Sequence, residues 1–136
     1  MTDSDELADI REQKREKVQQ QAQRTLAPDE PIHVESGEHF EEVLGEYDLV
    51  LVDFYADWCG PCQMLEPVVE EIAAETDAAV AKVDVDAHQQ LAAQYGMRGV
   101  PTVVLAVDGE TAEQLTGVRE KSHYVSLIDR YGSSHT

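Results

Sequence analysis

The chain has 136 residues, 42% of them hydrophobic, a size that suits one domain with a small appendage. Its formal net charge is −18, with 10 basic against 28 acidic side chains. That balance argues against nucleic acid and against an anionic membrane surface, since both need clustered Lys and Arg. Residues 1–27 hold five basic side chains against six acidic ones, a net of −1, which leaves −17 for residue 28 onward. So acidic a body repels itself at low salt, and salt screens the repulsion. A salt-rich cytosol explains the charge, and so does ordinary acidic solubility.

The first residues, Met1 to Glu6, are acidic and no apolar stretch of secretory or membrane-spanning length follows. The two cysteines, Cys59 and Cys62, sit in one Cys-x-x-Cys, too few and too close for the disulfide framework of a small secreted domain. The expectation is a cytoplasmic, monomeric protein whose cysteines do chemistry.

Residues 3–25 are rich in Glu, Gln, Lys, Arg and Ala and lack Gly and Pro, a helical composition with a thin apolar stripe of Leu7, Ile10, Val18 and Ala22. Either a solvated, fraying helix or a partner-binding helix fits. Ala27-Pro28-Asp29-Glu30-Pro31 then punctuates the chain. Residues 1–27 therefore read as a charged helical or partly disordered extension, and 28–136 as the domain.

Beyond the boundary, residues 32–34 predict a short strand, and Ser36 can cap a helix over 37–45. Residues 49–55, Leu-Val-Leu-Val-Asp-Phe-Tyr, form the near-continuous apolar run of a strand buried on both faces. A helix over 60–75 gathers Cys62, Leu65, Val69, Ile72 and Ala73 on one face, with Pro67 expected to kink it. A strand over 79–85 and a helix near 88–95 come next. Residues 102–107 and 111–115 make a hairpin through Asp108-Gly109. A last helix over 121–131 turns Val125 and Ile128 inward. Strands alternating with helices imply an α/β fold with a central mixed sheet flanked by helices.

A Cys-x-x-Cys alone is ambiguous between metal ligation, a structural disulfide and redox work. A zinc site needs four ligands; there is no second Cys pair, and His33, His39, His88, His123 and His135 show no ligand spacing with it. No metal is expected, although a cluster shared by two chains stays open. At a strand-to-helix junction Cys59 meets the free N–H groups and dipole of a helix N-terminus, which favour the thiolate, the attacking species in disulfide exchange. Cys62, one turn in, faces the core and should be shielded. Cys59 is thus the candidate nucleophile and Cys62 the resolving thiol. Pro61 is tolerated in the first turn, where its missing N–H has no partner.

The run from Val52 to Cys62, containing Trp58-Cys59-Gly60-Pro61-Cys62, resembles the active-site segment of thioredoxins. Pro67 matches that family's helix-kinking proline, and Arg98-Gly99-Val100-Pro101-Thr102 its second signature. Asp108-Gly109 and Gly117 match its late turn and groove glycine. The resemblance covers roughly residues 32–131. It implies a thioredoxin fold and a thiol–disulfide oxidoreductase that reduces protein disulfides, needs no cofactor beyond its own cysteines, and is recycled by a thioredoxin reductase.

The resemblance also implies residue roles. Asp53 becomes the buried acid–base group serving Cys62; an exposed strand-edge Asp is the plain alternative. Trp58 would cover the disulfide, or simply pack. Pro101 would be cis, presenting the backbone of Val100 to a substrate chain, or else a trans proline opening an edge strand. Gly99 and Gly117 would keep the groove open. Gly60-Pro61 between the cysteines resembles reducing members rather than oxidases or isomerases. Lys82 could pair with Asp53 or face solvent. Residues 84–88, Asp-Val-Asp-Ala-His, faintly suggest metal ligands but read better as a capped polar loop. Tyr55 and Gln63 stand where the family often has Trp and a basic residue. Two other functions remain, an oxidase or isomerase and a binding adaptor that docks through residues 1–27.

Overall fold

The computed structural model describes residues 26–133. The helical reading of residues 3–25 lies outside them. The elements run β1 (Ile32–His33), α1 (Gly37–Glu46), β2 (Leu49–Tyr55), α2 (Gly60–Glu75), β3 (Ala79–Asp84), α3 (Gln89–Gln94), β4 (Thr102–Val107), β5 (Glu110–Thr116) and α4 (Lys121–Ser133). The five strands form one sheet in the order β1-β3-β2-β4-β5. β1, β3 and β2 are parallel, while β4 and β5 are antiparallel to their neighbours. This is the mixed sheet expected, and β2 occupies its centre.

Alternation along β2 sorts its side chains to two cores. Val50, Val52 and Phe54 pack with Phe40, Val43 and Leu44 of α1 and Leu91 of α3. Leu49 and Leu51 pack with Leu65, Val69 and Ile72 of α2 and with Tyr124, Leu127 and Ile128 of α4. The sheet is therefore covered on both faces, which explains why β2 lacks a polar stripe. Phe40, Phe54 and Tyr95 form an aromatic group with centroids 5.1 to 6.4 Å apart.

Local signals act as read. The Ser36 hydroxyl caps α1 by accepting from the His39 N–H at 3.0 Å. Asp108 and Gly109 both take positive φ, 52° and 84°, as a two-residue hairpin turn of the primed kind requires. In α4 Ile128 is buried and Val125 packs half-buried against the same core, and Tyr124 and Leu127, which the sequence reading did not name, are buried with them. The Tyr124 hydroxyl accepts from the Arg119 N–H at 2.9 Å, giving this buried phenol a partner that periodicity does not reveal.

Candidate active site

β2 ends at Tyr55 and the chain turns through 56–59 into α2. Cys59 is the N-cap of α2, with extended backbone, and its Sγ accepts from the Cys62 N–H at 3.2 Å. One of the helix's unpaired N–H groups is thus aimed at sulfur, the arrangement that favours a thiolate. Cys59 and Cys62 are joined by a disulfide. Both residues are 4% exposed, so shielding is shared rather than confined to Cys62. They differ in setting. Cys62 lies on the inner face of α2, whereas Cys59 Sγ lies 3.6 Å from the Val100 carbonyl oxygen.

Val100 is held by the loop before β4. The Val100–Pro101 peptide bond is cis. The Thr102 hydroxyl donates to the Gly99 carbonyl at 2.7 Å, and the Gly117 N–H donates to the Pro101 carbonyl at 2.8 Å, joining the 99–102 loop to the end of β5. Gly117 has φ +90°, which side-chain-bearing residues rarely adopt. A Cβ on Gly99 or Gly60 would meet nothing within 4 Å, so neither glycine is demanded by the chain's own packing.

Asp53 points from β2 to the α2/α4 face, fully buried, with neither carboxylate oxygen hydrogen-bonded. Burial lifts its pKa from 3.8 to about 6; the Lys82 charge opposes that rise and the Glu66 charge adds to it. Lys82 is the register partner of Asp53 on β3 and is 6% exposed. Its ammonium does not pair with Asp53, nor does it face solvent. It donates to Glu66 Oε1 at 3.1 Å and sits 4.5 Å from the centre of the Tyr55 ring. Glu66 follows Cys62 by four residues on α2 and so lies one turn beyond it.

Trp58 precedes Cys59 directly and stands at the surface. It is 72% exposed, and its indole N–H donates to Asp86 Oδ2 at 2.9 Å. Residues 84–88 are a polar loop: the Asp86 N–H donates to Asp84 Oδ1 at 2.9 Å, and the His88 Nε2 lies 3.1 Å from the Val34 carbonyl. Among the described residues no group of three or more His, Cys, Asp or Glu could hold a metal ion. Glu66 is the site residue that sequence reasoning passed over, and Asp86, read only as part of the polar loop, is the acceptor for Trp58. Only the spacing of Glu66 from Cys62 offered a signal.

A family model described as Thioredoxin matches residues 31–130. The chain belongs to the thioredoxin family. Among solved structures it is similar to an N21Q mutant thioredoxin from Halobacterium salinarum NRC-1, at 55% identity and TM-score 0.75, over 77% of this chain and 93% of that one. A Plasmodium falciparum thioredoxin matches at 31% identity and TM-score 0.66, over 74% and 98% of the two chains. A thioredoxin of Chlamydia caviae is 39% identical over 101 residues, 74% of this chain and 98% of its own. Thioredoxins are protein-disulfide oxidoreductases, with disulfide-containing proteins as substrates and a reductase as partner. In this chain the Cys59–Cys62 pair is the redox group of that activity.

Proposed function

We propose that this thioredoxin runs in the reducing direction, with Cys59 as nucleophile, Cys62 as resolving thiol and Asp53 as the acid–base group. The observation that carries the assignment is the position of Cys59 at the N-cap of α2, its Sγ 3.2 Å from a helix N–H and 3.6 Å from the Val100 carbonyl. In the dithiol form, the Cys59 thiolate attacks one sulfur of a client disulfide. A Cys59–client bond forms, the client S–S bond breaks, and the second client sulfur leaves as thiolate. The Cys62 thiol gives its proton to the Asp53 carboxylate and attacks Cys59 Sγ. The Cys59–Cys62 disulfide forms and the first client sulfur leaves. The client gains two electrons and the chain loses two, which a thioredoxin reductase restores.

A client segment passing the site would lie along Val100 and cis-Pro101, between Trp58 and Gly117, with Gly60, Pro61 and Gly99 leaving backbone room. Gly60-Pro61 favours the reducing role over an oxidase or isomerase. The −17 carried from residue 28 onward, with the likeness to the Halobacterium salinarum protein, supports a monomer working in a salt-rich cytoplasm. Residues 1–27 are a charged extension to a domain spanning 28–136. Among the described residues no helix is long and apolar enough to cross a membrane.

The test is capture of the intermediate. Reduced Cys62→Ser incubated with a disulfide-bonded peptide should accumulate a Cys59–peptide adduct by mass spectrometry, while Cys59→Ser should not. Adducts on Cys62 of the Cys59→Ser protein in equal yield would reverse the assignment.

A further inference from the structure

Beside Cys62 lies a cavity of about 370 Å³, lined also by Glu66, Lys82, Tyr55, Asp57 and His33. It is polar, and it brings the thiol side of α2 together with the only buried ammonium among the described residues. Asp53, one strand from Lys82 in register, has no hydrogen-bond partner although a cation lies on the neighbouring strand. That is an unusual omission, because a buried ammonium and a buried carboxylate on adjacent strands each lower the other's desolvation cost when paired. Glu66 holds the ammonium instead, its Oε1 3.1 Å from Lys82 Nζ, although the Glu66 side chain is 51% exposed.

We propose that Glu66 is a positioning residue: by holding the Lys82 ammonium away from Asp53, it keeps Asp53 a strong enough base to take the proton of Cys62. The proposal rests on the acid–base reading of Asp53. The groups whose charge bears on that carboxyl are few. β3 supplies Lys82, α2 supplies Glu66, and α4 supplies Tyr124, while Cys62 lies on the inner face of α2. On β2 itself Tyr55 follows, with Asp57 just beyond. β4 places Val103 opposite and carries no titratable side chain, and His33 of β1 stands at the cavity wall. Among the described residues Lys82 is the one cation whose charge bears on Asp53, and Glu66 is its bonded partner, so the pair decides how much positive charge Asp53 feels. The effects on Asp53 oppose one another: desolvation raises its pKa, Lys82 lowers it, and Glu66 raises it. With Glu66 neutral, the nearest buried carboxylate for the ammonium is Asp53. A salt-bridged Asp53 is a weaker base, and proton transfer from Cys62 slows accordingly.

The experiment uses the full reduced chain with its Asp carboxyl carbons labelled, so that the Asp53 titration is read directly by NMR. Glu66→Gln, a change on a half-exposed side chain, should lower the Asp53 midpoint by about one pH unit. The acid limb of the disulfide-reduction rate should move down with it, and the neutral-pH rate should fall roughly two- to fivefold. In a Lys82→Met background the same Glu66→Gln change should lose more than about half of the midpoint shift, because the cation it releases is gone. An unchanged midpoint, or an equal shift in both backgrounds, overturns the proposal. Asp53→Asn separates the two levels: if it leaves the rate profile unaltered, the acid–base reading of Asp53 fails, whatever the NMR midpoint does in Glu66→Gln.

Discussion

Asp53 and Lys82 face each other across the β2–β3 register, yet the Lys82 ammonium bonds Glu66 and leaves both Asp53 oxygens unpartnered. A carboxyl so placed has a stability consequence with a definite sign. Its pKa is about 6 when folded and 3.8 ordinarily. Below the lower value the carboxyl is neutral in both folded and unfolded chains, and it costs nothing extra. As pH rises the unfolded chain ionises first, and above the upper value the folded chain holds a buried carboxylate at full cost.

Asp53→Asn should therefore stabilise the fold above about pH 7, by up to about 3 kcal/mol, and the gain should vanish as pH falls towards 4. The amide still buries polar atoms, so the gain reflects the charge alone. Urea denaturation at several pH values measures it. A variant equally stabilised at acid and neutral pH contradicts the account.

Trp58 is the only Trp in the chain, so its fluorescence reports one place. Asp86→Ala removes the acceptor of its indole N–H. Because the bond is exposed, stability should change by less than about 1 kcal/mol. The emission should nevertheless shift, and KM for a protein disulfide should rise while kcat changes little. A change in kcat with KM constant would place Asp86 in the chemistry instead.

The charge of the domain makes a third prediction. Between about 0.1 M and 1 M salt the screening length falls from about 10 Å to about 3 Å, so repulsion among its acidic side chains should fade. The thermal midpoint should climb with KCl over that range. A midpoint that stays level removes the salt-rich cytosol from the reading.

What the sequence made legible follows from how local each signal is. β2 was readable because six consecutive residues are buried, and α2 because its buried face repeats at helical spacing. The Asp108-Gly109 turn needed only two residues. The site was legible where it is contiguous, at residues 58–62, or where a short signature marks a loop, at 98–102. The rest depends on contacts between distant segments. Trp58 reaches Asp86 across 28 residues, and Lys82 reaches Glu66 across 16. Lys82 shows the limit well: a lysine in an apolar strand could pair or face solvent, and only the packing of α2 over β3 puts a second carboxylate within its reach. Tyr124 is similar, since a tyrosine's burial hinges on whether its hydroxyl finds a partner, here the Arg119 N–H.

The central claim is that the Cys59–Cys62 pair does the chemistry with Cys59 as its nucleophile. Its most direct test is the steady-state rate of insulin-disulfide reduction by wild type and Cys59→Ser under the same reductant. The account predicts that the variant falls to the rate of the reductant alone. Equal rates for the two proteins would contradict it.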